Sequence, residues 1–168
     1  MPAHRTPCAC AARSLQLSPA RAANLLSRAR LLQRAALDGS TPGLLRGKNL
    51  GLLCGPQPDE AQALFHRAAE SLGAHLAVMR SGLSPASTAE EVRDTARMLG
   101  RLYDAVECQG LDAELVERIG RHAGVPVFDG AATDCHPAEP LAALVGGATP
   151  LRDNRCFVLQ AVLLEVLG

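Results

Sequence analysis

The chain has 168 residues, 48% of them hydrophobic, enough to bury one good core and most simply one domain. Its 17 Lys+Arg balance its 17 Asp+Glu, and a formal net charge of +0 leaves no basic field for nucleic acid or an anionic membrane. No apolar stretch approaches the roughly 20 residues of a membrane span. The first residues, with His4 and Arg5 ahead of Cys8, Ala9 and Cys10, are too short and too weakly apolar for a secretory signal, so a cytoplasmic protein is expected.

Taken in chain order, residues 1–16 read as a disordered N-terminus. Ser18 then caps a helix that has Pro19 in its first turn and Ala22, Leu25, Leu26, Ala29, Leu32 and Ala36 along its apolar face, ending near Asp38 and Gly39. Arg28, Arg30 and Arg34 are read as its solvated face. A loop over 39–43 leads to a short strand at Leu50, Gly51, Leu52 and Leu53. Gly55 and Pro56 break that strand, and Pro58 suits the first position of a helix whose apolar residues, Ala61, Leu64, Phe65, Ala68, Ala69 and Leu72, recur at helical spacing. Asp59 and Glu60 place negative charge at that helix N-terminus, where unpaired backbone N–H groups would otherwise suit an anion such as phosphate.

A second strand is predicted at 76–79, a polar loop over 81–88, and a helix over 90–102 with Val92, Ala96 and Leu99 on one face. A strand at 103–106, a helix over 111–123 and a fourth strand at 125–128 follow. Strand alternating with helix predicts an α/β domain, a four-stranded parallel sheet with helices on both faces. Pro137 suits a helix start ahead of Leu141, Ala142, Leu144 and Val145. Residues 151–168 read as a final amphipathic helix with Asn154 as its cap, packed on the domain formed by 17–150; a strand at 156–159 is the alternative.

The six cysteines, Cys8, Cys10, Cys54, Cys108, Cys135 and Cys156, include no pair of CxxC units, so buried single thiols are expected in place of a structural zinc site, and no metal or cofactor is called for. His4 with Cys8 and Cys10 could supply metal donors, but they fall in the segment read as disordered. His66, His75 and His122 show no convergent partners and read as surface or packing residues. Cys135 beside His136 suggests a thiol nucleophile, yet neighbours in a strand or turn point apart. Gly51 and Gly55 have neither the dinucleotide-binding spacing nor a phosphate-loop lysine.

The stretches Leu45-Arg46-Gly47-Lys48-Asn49-Leu50-Gly51-Leu52-Leu53, Leu72-Gly73-Ala74-His75, Asp94-Thr95-Ala96-Arg97-Met98-Leu99, Asp104-Ala105-Val106 and Val125-Pro126-Val127-Phe128-Asp129-Gly130 stand out together. They resemble the carbamoyl-phosphate domain of the ornithine and aspartate carbamoyltransferases. The final helix, with Asp153-Asn154-Arg155, is similar to the helix that closes those enzymes, so the resemblance implies a first domain joined directly to the closing helix, without the amino-acid-binding domain. The family's phosphate-gripping Ser-Thr-Arg-Thr-Arg turn corresponds here to Pro58-Asp59-Glu60-Ala61-Gln62. A further phosphate-binding arginine corresponds to Gln109, and the carbamoyl-binding His-Pro-x-Gln motif to His136-Pro137-Ala138-Glu139.

What the resemblance implies is therefore a vestigial carbamoyl-phosphate pocket formed by Pro58, Asp59, Glu60, Gln62, Gln109, His136 and Glu139. Replacing cations by Asp59 and Glu60 turns the local field against a dianion by on the order of 1 to 4 kcal/mol per charge at about 4 Å. His136 is the one remnant of a catalytic group; with Glu139 one helical turn away, a local hydrogen bond or a place facing the pocket is expected of it. Three functions are compatible with these residues. One is a non-catalytic carbamoyltransferase-like protein of arginine or pyrimidine metabolism, assembling as a homotrimer or with a full-length carbamoyltransferase. The others are a small-ligand module with a remodelled pocket and a residual carbamoyltransferase.

Overall fold

A computed structural model describes residues 16–168; the expectations placed on residues 1–15, including those for His4, Cys8 and Cys10, lie outside the described residues. Ser18 opens helix α1 (Pro19–Leu37), its Oγ accepting the Arg21 N–H at 3.2 Å. There follow β1 (Asn49–Cys54), α2 (Glu60–Ser71), β2 (His75–Arg80), α3 (Ala89–Leu102), β3 (Ala105–Cys108), α4 (Ala113–Ala123), β4 (Val127–Asp129), α5 (Leu141–Val145) and α6 (Leu151–Leu167). The four strands are all parallel, in the order β2-β1-β3-β4. Connections therefore run outward from β1 in both directions, which opens a crevice at the carboxyl ends of β1 and β3.

Side chains alternate across the sheet and divide the core in two. Leu50, Leu52 and Ala105 face a layer built from Leu25 and Ala29 of α1, Phe65 of α2, Leu141 of α5 and Leu159 and Leu163 of α6. Leu53, Val106 and Cys108 face Val92 and Leu99 of α3 and Leu115 and Ile119 of α4. On this second face α3 and α4 come so close that a Cβ on Gly100 would lie 1.7 Å from the Ala123 carbonyl oxygen.

Several element boundaries differ from the pattern reading. β3 lies later than 103–106: Tyr103 caps α3, and Asp104 accepts the Asn49 N–H at 2.8 Å, so pairing continues through Glu107 and Cys108. Pro137 starts no helix, because residues 130–140 form a chain of turns and α5 begins only after Pro140. Residues 156–159 are helical, as the main reading has them and not the alternative strand, but Asn154 is not the cap of α6; Pro150 takes that place. Nor is α6 amphipathic. Every residue from Cys156 to Leu164 is buried, because α1, α2 and α5 surround it.

Asn154 instead sits inside the first turn of α6 and anchors a buried polar network. Its Oδ1 accepts from Gln33 Nε2 at 3.2 Å and from the Thr149 hydroxyl, while Gln33 also donates to the Gly146 carbonyl at 2.7 Å. Arg30, read as part of a solvated face, donates to the Leu144 and Val145 carbonyls at 2.8 and 3.3 Å and closes the end of α5. Arg21 of α1 clasps Glu165 of α6 through Nε and Nη2.

Candidate functional site

The crevice at the carboxyl ends of the strands is walled by the start of α2, the turns over 131–139 and the first turns of α6. It holds an open cleft of ≈ 260 Å³ that includes Asp59, Glu60, Thr133, Asp134 and Arg155 in its lining. Beside it lies a small hollow of ≈ 20 Å³ bordered by Thr133, His136, Glu139 and Arg155. Of the residues singled out by sequence, the structure thus brings Asp59, Glu60, His136 and Glu139 to two adjoining hollows. Pro58 and Gln62 line neither hollow, and Gln109 is buried (2% exposed) beneath them.

Local sequence explains the α2 end. Asp59, in extended backbone, is the N-cap, and Pro58 therefore stands before the cap, outside the first helical turn. Asp59 Oδ1 accepts the Gln62 N–H at 2.8 Å. The donor that a helix N-terminus would turn toward a bound anion is thus taken by the chain itself. The Gln62 side chain folds back to the Gln57 carbonyl at 3.1 Å.

His136 is largely buried, and loss of hydration, with Arg21 adding a like charge, pushes its imidazole down to about 4. Its Nδ1 accepts the Ala138 N–H at 3.2 Å, which assigns the ring proton to Nε2. His136 borders the small hollow, and its local bond is to Ala138 and not to the Glu139 side chain; the Glu139 N–H donates to the His136 carbonyl at 2.9 Å, and the Glu139 carboxylate faces Arg155 Nε at 3.6 Å. Cys135 is disulfide-bonded and offers no thiol beside the imidazole. His66 has a partner the sequence reading missed, its Nδ1 lying 3.2 Å from Glu70 on the outer face of α2.

Sequence reasoning also missed the cation of the site. Arg155 reaches the cleft from α6 and forms ion pairs with Asp134 and Glu139, its own side chain 18% exposed. The available signal was a charge in the first turns of an otherwise apolar helix. It missed Glu107 as well, whose buried carboxyl is pushed up to about 8 by loss of hydration. Among the described residues, Asp59, Glu60, Asp134 and Glu139 place four carboxylates around the two hollows, against the guanidinium of Arg155. The field of these described groups is repulsive to phosphate, and Arg155 is already engaged.

Residues 12–146 match the family described as aspartate/ornithine carbamoyltransferase, carbamoyl-P binding domain. The catabolic ornithine carbamoyltransferase of Burkholderia mallei is 40% identical over 118 residues, 70% of this chain and 35% of that protein. The ornithine carbamoyltransferase of Cutibacterium acnes is 37% identical over 111 residues, 66% of this chain and 33% of that protein. Among solved structures, ornithine carbamoyltransferase from Pyrococcus furiosus superposes with a TM-score of 0.63 at 27% identity, covering 74% of this chain and 40% of that one. The catalytic subunit of aspartate transcarbamoylase from M. jannaschii shares the fold, with a TM-score of 0.61 at 21% identity over 77% of this chain and 42% of that one. The chain spans about a third of the length of the curated relatives it matches. With the matched region and the parallel-sheet fold in agreement, the chain belongs to the aspartate/ornithine carbamoyltransferase family, within its carbamoyl-phosphate-binding domain.

Proposed function

We propose that this chain is a non-catalytic member of its family, retained as an assembly or regulatory element in arginine or pyrimidine metabolism. One observation carries the reading: Asp59 caps α2 and takes the Gln62 N–H where an anion would bind. Carbamoyl transfer needs donors for the phosphate and for charge developing on the carbamoyl oxygen. Of the residues expected in the vestigial pocket, Asp59, Glu60, His136 and Glu139 border the hollows and supply three carboxylates and an imidazole, Pro58, Gln62 and Gln109 lie outside them, and Arg155 is held by Asp134 and Glu139. Assembly as a homotrimer, or with a full-length carbamoyltransferase in the cytoplasm, accounts for keeping the scaffold. Exposed Leu31 and Leu44, at 59% and 53%, flank a groove of ≈ 610 Å³ along α1 and the end of α6, and apolar surface of this kind favours a contact role.

A second reading, a pocket remodelled for a small cationic ligand, is favoured by the excess of carboxylates around the cleft. Calorimetry with carbamoyl phosphate tests the main proposal. No saturable heat is expected up to millimolar concentration; saturable binding in that range overturns it and restores the enzyme reading. Sedimentation equilibrium at micromolar concentration tests the assembly, and a clean monomer removes the homotrimer.

A further inference from the structure

The end of β3 carries a carboxyl that no cation among the described residues pairs with. Glu107 is 0% exposed, and Gln109, two residues on and on the same side of the strand line, is buried beside it. Gln109 Nε2 donates to Glu107 Oε1 at 3.2 Å and to the Ala61 carbonyl of α2 at 3.3 Å. Two buried oxygens are then left with no hydrogen-bond partner, Glu107 Oε2 and Gln109 Oε1. With the carboxyl ionised both are acceptors and neither can satisfy the other. One proton on Glu107 turns Oε2 into the donor that Gln109 lacks.

The surroundings of the carboxyl favour that proton. Loss of hydration is the largest influence and outweighs the Ala131 and Ala132 N–H groups and the Gln109 amide, which favour the anion without completing a bond to Oε2, while Asp129 of β4 adds a like charge. Cys108, the neighbour on β3, is pushed up to about 12 and stays neutral. From α2 the group receives only the Ala61 carbonyl by way of Gln109, with the negative Asp59 and Glu60 preceding it in the chain. Arg155, the cation of the cleft, is held by Asp134 and Glu139.

We propose that Glu107 is stored in its protonated form as half of a neutral acid–amide pair with Gln109, and that this pair is a pH-sensitive clasp joining β3, the first turn of α2 and the 131–132 wall of the cleft. On deprotonation the proton leaves to solvent, and the carboxylate stays buried beside Asp129 until water reaches it. Water enters by loosening of the 131–132 wall. The carboxyl titrates near 4.5 in the unfolded chain and about 8 in the fold, so between those values the native state holds the extra proton. Stability therefore falls as pH rises through that window and levels off above it.

The test is a ¹³C-carboxyl titration of the full chain by nuclear magnetic resonance, together with unfolding equilibria of the chain and its Glu107→Gln variant across pH. One glutamate carboxyl is expected to titrate well above pH 7. The folding constant relative to Glu107→Gln is expected to fall about tenfold per pH unit through the middle of the window. Amide protection at Ala131 and Ala132, corrected for intrinsic exchange, drops across the same midpoint. A Glu107 midpoint in the ordinary carboxylate range overturns the pair, and unchanged protection at Ala131 and Ala132 overturns the clasp. Should Glu107→Gln fail to fold, the titration of the unaltered chain decides alone.

Discussion

The two faces of the sheet are packed by different means. Between the sheet and α3 and α4 the buried residues are apolar, from Val92 and Leu99 to Leu115 and Ile119, and fit is set by shape alone. Among the described residues, the opposite face encloses the buried polar side chains, Gln33, Asn154 and Gln160 among the helices and Glu107 and Gln109 at the strand ends. A shape-packed face fails when volume is added. A network-packed face fails when a partner is removed, and this second face is the one that carries the cleft.

Breaking the shape-packed face is expected to have the largest effect. Gly100→Ala places a Cβ 1.7 Å from the Ala123 carbonyl oxygen, backbone that cannot rotate away, so α3 and α4 must separate. A loss of about 3 kcal/mol is expected by urea unfolding; a loss under ~1 kcal/mol would show that the two helices slide without cost. On the other face, Asn154→Ala leaves the Thr149 hydroxyl without its acceptor and removes the weakest of the three Gln33 Nε2 bonds, and a loss of about 2 kcal/mol is expected from the same measurement. An Asn154→Leu variant as stable as the parent would mean that volume, and not the network, holds this face.

The smallest effect on stability is the most informative for function. Asp59→Ala removes a helix cap at a cost of about 1 kcal/mol and frees the Gln62 N–H. Sulfate should then raise the melting temperature of the variant more than that of the parent. Equal stabilisation of both would show that Asp59 does not occupy an anion site.

The scaffold was legible because its signals are local. Ser18 before Pro19, the alternation of short apolar runs with helical spacings, and Asp59 at the start of α2 each fix an element within a few residues. The misread positions depend on distant neighbours. Asn154 looked like a cap because Asn caps helices, yet Gln33, 121 positions away, draws it into the interior. Glu107 lies beyond the expected strand at 103–106, and its burial depends on Gln109 and the enclosing turns, which no local pattern marks. Arg155 gave little sign of its role, since what it reaches is set by Asp134 and Glu139 on another segment.

The position of α6 has a consequence for how the chain reaches its fold. The clasp of Arg21 on Glu165 spans 144 positions, and α1 finds its main partner in α6, the last element of the order. During synthesis at ~5–20 residues per second, α1 would wait on the order of 10 s before α6 is made. Through that interval Leu25, Ala29 and Leu32 have no finished core to enter, so folding is slow to close and exposed to chaperones and misassembly.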